Sequence, residues 1–62
     1  MKSYRVYWLS ARRHILRGDW IQARDDADAR RQASELCDEE TASIEVWEAA
    51  RPVEHIDCHP GE

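Results

Sequence analysis

The stretch from Ser3 to Ser10, S-Y-R-V-Y-W-L-S, constrains the fold more than any other part of this chain. Tyr4, Val6 and Trp8 fall on one parity and Arg5, Tyr7 and Leu9 on the other, so an extended segment here carries large apolar side chains on both faces. A strand with one wet face alternates more cleanly, and this pattern belongs to a central strand. A central strand needs a neighbour on each edge, and 62 residues must supply both. A chain of that length buries only about 60% of the surface exposed when unfolded, and its single core gives roughly 3–5 kcal/mol without a staple or a partner. One small domain is the ceiling, with no room for a deep substrate cleft.

The rest of the chain provides the neighbours. Ala11-Arg12-Arg13 reads as a hairpin turn, without Gly or Asn to take a positive φ, and a three- or four-residue loop built on a type I turn fits it. Residues 14–24 continue as one bent second strand, in which Gly18 marks a bulge or a close backbone approach. Asp25-Asp26-Ala27-Asp28 offers a helix N-cap followed by acids in the first turn, where free amides favour negative charge. Ala29, Ala33, Leu36 and Cys37 then form a thin apolar stripe, and Asp38-Glu39-Glu40 opposes the helix dipole, so the helix frays after about Cys37. Thr41 to Glu48 reads as a third strand, with Ile44 and Val46 on one face and Glu45 and Trp47 on the other. After an Ala49-Ala50 turn, Arg51 to Ile56 forms a fourth strand, which Pro52 confines to an edge. The expected fold is α+β: a four-stranded antiparallel sheet, β-β-α-β-β in spatial order 2-1-3-4, with one helix packed on one face. Residues 1–56 make the domain and 57–62 a flexible C-terminal tail.

The opening Y-R-V-Y-W-L, the H-I after the turn, the D-D-A-D-A helix start and the closing E-V-W-E-A-A-R-P-V together resemble a group of short bacterial proteins of unknown function. The resemblance covers the chain up to about Ile56. It implies a fold and carries over no catalytic residue, and the cysteine-and-histidine tail lies outside it.

Charge is divided along the chain. The net charge is −4, but residues 1–24 carry six bases against Asp19 alone, whereas residues 25–62 carry twelve acids against Arg30, Arg31 and Arg51. Such a split suits an oriented partner or self-association. No apolar run approaches the length of a transmembrane helix, and Lys2 and Arg5 interrupt any signal-peptide core. The expectation is a soluble cytoplasmic protein.

Chemistry-bearing motifs are sparse. Neither Ser10–His14 nor Cys58–His59 has a shielded setting for a nucleophile and its base, and with Gly18 and Gly61 the only glycines no phosphate-binding loop exists. The reading is of a protein that is not an enzyme and needs no cofactor. Cys37, His55, Cys58 and His59 carry zinc-ligand chemistry, yet they lack two tight chelating pairs. Cys37 reads instead as a small buried hydrophobe, and a Cys37–Cys58 disulfide is disfavoured in a reducing compartment.

One helix covers one sheet face. If Val6, Ile21, Ala23, Ile44 and Val46 face Ala29, Ala33 and Leu36, then Tyr7, Leu9, Trp20 and Trp47 lie on the open face, with Arg5 and Arg17 as rim charges. An exposed aromatic patch on so small a domain marks an association surface, and a homodimer or a protein partner is the expected occupant. Base stacking of single-stranded nucleic acid on the same rings is the alternative, weakened by the overall negative charge and by Glu45 and Glu48 beside Trp47.

Overall fold

A computed structural model describes residues 1–59. The chain runs β1 (Lys2–Leu9), β2 (Ile15–Ala23), α1 (Asp26–Ser34), β3 (Ser43–Glu48) and β4 (Arg51–Asp57). The strands form one antiparallel sheet in the order β2-β1-β3-β4, so the two-sided β1 is central and α1 crosses one face between β2 and β3.

The register fixes the faces. Val6 lies opposite Asp19 on β2 and Val46 on β3, while Trp8 lies opposite Arg17 and Ile44. Tyr4, Val6, Trp8, Ala23, Ile44 and Val46 form the core with Ala29 and Ala33 of α1, and Ile21, Leu36, Val53 and Ile56 pack around it. The alanines let α1 approach the sheet closely, and the bulk comes from the strands. Two of the five aromatic rings are hidden this way. Tyr4 donates from its hydroxyl to Asp26 Oδ1 at 2.9 Å, and Trp8 donates from Nε1 to the Leu36 carbonyl at 3.1 Å. Each large ring thereby buries its apolar body and keeps its polar atom paired.

The helix begins where its sequence places it. Asp25 is the N-cap in extended backbone, and its carboxylate accepts from the Asp28 N–H at 2.8 Å. Asp28 in turn accepts from the Arg24 N–H at 3.0 Å and from the Arg31 guanidinium at 2.8 Å. The two acids close the first turn reciprocally. The helix ends at Ser34, three residues before the apolar stripe does at Cys37, and the chain tightens through the Leu36 N–H to the Ala33 carbonyl.

The first hairpin turn is a three-residue loop, as its sequence suggests, but Arg13, which donates to the Ser10 carbonyl, takes a left-handed φ of 64° in place of a glycine. The strand irregularity lies at the turn end, between Trp8 and Leu9, and not at Gly18, which pairs regularly with Tyr7. Gly18 serves the close approach: a Cβ there would stand 3.2 Å from Tyr7 Cδ1 and 3.3 Å from Arg5 Nη2. At the far end β4 reaches Asp57, and the Cys58 N–H donates to the Ala42 carbonyl. Residues 60–62 of the expected tail lie outside the described residues.

Candidate functional site

The face that α1 leaves open is built from alternate residues of three strands and the edge of the fourth. Arg5 stands at its centre, opposite Trp20 on one side and Trp47 on the other. Its guanidinium carbon lies 5.0 Å from the Trp20 ring and 5.4 Å from the Tyr7 ring. Cation and rings attract through the ring quadrupoles, so the three side chains form a fixed cluster resting on Gly18. Arg5 Nε is buried and has no hydrogen-bond partner among the described residues. Trp20 is 58% exposed, whereas Tyr7 and Trp47 are half-buried.

A strip of opposite character adjoins this cluster. Trp47 Nε1 donates to Glu45 Oε1 at 3.2 Å, Glu45 Oε2 lies 3.5 Å from His55 Nδ1, and His55 Nε2 lies 3.4 Å from Asp57 Oδ1. The open face thus presents an aromatic-cationic half on β1 and β2 beside an acidic half on β3 and β4. Protein surfaces that associate combine such anchoring aromatics and arginine with a polar rim.

Of the residues expected on this face, Arg5, Tyr7, Trp20 and Trp47 are brought together. Leu9 is not available, being only 5% exposed at the turn end of the sheet, where its carbonyl accepts from the Ala42 N–H. Arg17 belongs to the opposite face, because it shares the parity of Ile21 and lies flat over Trp8 with its guanidinium carbon 4.2 Å from the ring. There it lines a shallow depression with Trp8, Leu16, Asp38, Glu40 and Thr41.

The cysteine and histidine residues do not converge as a set. Cys37 and Cys58 are joined to each other as a disulfide, with Cα atoms 5.4 Å apart, which corrects the reading of Cys37 as an unbonded hydrophobe. His55 sits on the open face between Glu45 and Asp57, and His59 lies against the Asp38 carbonyl at 3.2 Å. Among the described residues no cluster of three or more His, Cys, Asp or Glu side chains is placed to hold a metal ion. Likewise, no helix of the described residues is long and apolar enough to cross a membrane.

No family model, curated protein or solved structure matches the chain. The site's chemistry therefore rests on its own residues. Parity already places Glu45 beside Trp47 on this face; the residue the sequence reading leaves out of it is His55, which lies opposite Glu45 on β4.

Proposed function

We propose that this chain is a small protein-interaction module whose docking surface is the helix-free sheet face, receiving either a second copy or another protein. The observation that carries the reading is the Arg5 cluster: a guanidinium held between Tyr7 and Trp20, with a buried Nε that is unpartnered among the described residues, on a face that no element of those residues covers. A pre-ordered arginine and three rings lose little side-chain entropy on binding, which is the property of a binding hot spot. Stacking of single-stranded nucleic acid on these rings fits less well, since Glu45 and Asp57 place anions on the same face.

The resemblance to short bacterial proteins would extend the same role to them. A cytoplasmic location loses one support, because the Cys37–Cys58 bond is of a kind that persists in oxidising compartments.

Photo-crosslinking from a probe replacing Tyr7, on the central strand and away from the sheet edges, tests the face on the intact chain. Capture of a defined protein or of a second copy, reduced at least tenfold by Trp47→Ala without loss of fold, supports the proposal. Capture that ignores Trp47→Ala, or binding of oligonucleotide in its place, overturns it.

A further inference from the structure

The two edges of the sheet are guarded unequally. On β4, Pro52 lacks an amide, the ladder is irregular opposite it, and Arg51, Glu54 and Asp57 surround the edge with charge. These are the devices by which proteins discourage strand addition. β2 has no proline over residues 15–20, its two charges there, Arg17 and Asp19, are opposite in sign, its ladder is irregular only at the turn end by Leu16, and all six residues are exposed, including Ile15, Leu16 and Trp20. A nine-residue edge with three exposed large apolar side chains invites another strand.

The backbone groups that face outward can be identified. The Trp20 N–H is taken by the Asp19 carboxylate at 2.8 Å, and the Gln22 carbonyl by Gln32 Nε2 at 2.9 Å. Both are satisfied by side chains, so the even-numbered residues point away from β1, and Gly18 lies at the middle of the open edge.

From this edge we infer that β2 pairs antiparallel with β2 of a second copy about a two-fold axis through Gly18, joining the two sheets into one of eight strands. The sequence L-R-G-D-W, residues 16–20, is self-complementary about that glycine. Arg17 comes opposite Asp19 of the second copy, and Asp19 opposite Arg17, because a two-fold contact is reciprocal. Leu16 comes opposite Trp20, twice, and the regular match ends there, at the irregularity of the β1–β2 ladder. The outward amides and carbonyls match as well, since the axis pairs even residues with even: Gly18 exchanges two hydrogen bonds with its counterpart, and the Trp20 N–H takes the Leu16 carbonyl. Asp19 is then free for Arg17 across the joint. Within one chain neither Arg17 nor Asp19 has an ion-pair partner within 4.0 Å among the described residues. A shift of the axis by one residue, to Asp19, would set Arg17 against Ile21 and Leu16 against Gln22, losing both matches. The axis stands perpendicular to the sheet, so the two Arg5 clusters end on the same side of one continuous surface.

Charge exchange tests this register in the full chain. Sedimentation equilibrium of the unaltered protein shows a concentration-dependent dimer. Arg17→Asp places two like-charged pairs across the joint and weakens dimerisation about tenfold or more, as does Asp19→Arg. The double exchange Arg17→Asp/Asp19→Arg restores it to within about threefold, because each charge again meets its opposite. Trp47→Ala, on the open face, leaves this dimer intact, which separates it from docking through that face. Hydrogen exchange on the unaltered chain reads the same joint without substitution, with the Gly18 amide gaining protection as concentration rises. A monomer at every concentration, a dimer indifferent to the single reversals, a double variant no better than either single one, or a Gly18 amide equally open at all concentrations overturns the inference.

Discussion

The Tyr4 hydroxyl, buried beneath α1, donates to Asp26 Oδ1 at 2.9 Å and so ties the central strand to the first turn of the helix. Arg51 grips the same carboxylate with both terminal nitrogens, at 3.0 and 3.1 Å, and reaches Glu48 at 2.6 Å. One carboxylate thus collects β1, α1 and the β3–β4 hairpin. Tyr4→Phe keeps the ring and the packing and removes one buried hydrogen bond, leaving Asp26 to Arg51. The melting temperature falls by about 4–8 °C, the scale of one such bond in a domain this size.

Burial and the bond to Asp26 push the Tyr4 phenol from its ordinary 10.0 up to about 12. The folded state therefore holds this proton more tightly than the unfolded one. Its contribution is whole below pH 10 and is lost as pH rises through about 12. Denaturant unfolding followed between those limits shows stability declining, and the decline is smaller in Tyr4→Phe, which has no phenol to ionise there.

Asp28 gives the acid counterpart. The Arg24 amide first, and the Arg31 guanidinium second, hold its carboxyl down from 3.8 to about 2. A depressed folded value means stability that is complete above the unfolded value and is lost as pH falls from about 4 through about 2. Asp28→Asn keeps an acceptor for the Arg24 amide but cannot be protonated in this range. Acid titration by circular dichroism shows a shallower loss for Asp28→Asn than for the parent chain, from a lower starting stability.

The β3–β4 turn carries a correctable cost. Ala49 has φ of 54°, a conformation in which its Cβ crowds the following carbonyl. Ala49→Gly removes the crowding at an exposed site and raises stability by about 1 kcal/mol, net of the greater freedom glycine gives the unfolded chain. A chemical denaturation midpoint higher than that of the parent at unchanged slope is the expected reading.

Much of this architecture is legible before any coordinates. The two-sided apolar character of residues 4–9 places β1 at the centre, the acids at 25–28 start α1, and Pro52 sends β4 to an edge; together they specify the order 2-1-3-4. The open-face set of Arg5, Tyr7, Trp20 and Trp47 follows from parity alone. Parity fails at the strand ends. Leu9 has the alternation of an open-face residue, yet it is buried beside the irregularity in the β1–β2 ladder, which no spacing rule reports. Arg17 has the alternation of the covered face and was expected on the rim, because its charge suggested solvent more strongly than its register suggested Trp8. Cys37 and Cys58 are 21 residues apart with two strands between them, so their meeting is a property of the completed sheet.

That meeting adds stability on the scale of the core itself. Linking positions 21 residues apart removes loop-closure freedom from the unfolded chain worth about 3 kcal/mol, against the roughly 3–5 kcal/mol that a core of this size supplies alone. The bond joins the segment just after α1 to the end of β4. Beside it lie the Leu36 carbonyl, which receives the Trp8 indole, and the Cys58 amide, which donates to Ala42. Reduction by an excess of dithiol, which converts the disulfide to two thiols as the reagent is oxidised, lowers the melting temperature by more than 10 °C. The same holds for Cys37→Ser/Cys58→Ser, and reductant has no further effect on that variant. Loosening starts at the helix C-terminus, so hydrogen exchange at Leu36 and Cys58 accelerates first while the β1–β3 amides stay protected. Equal melting of oxidised and reduced chains would show that the unfolded state already holds these two ends together.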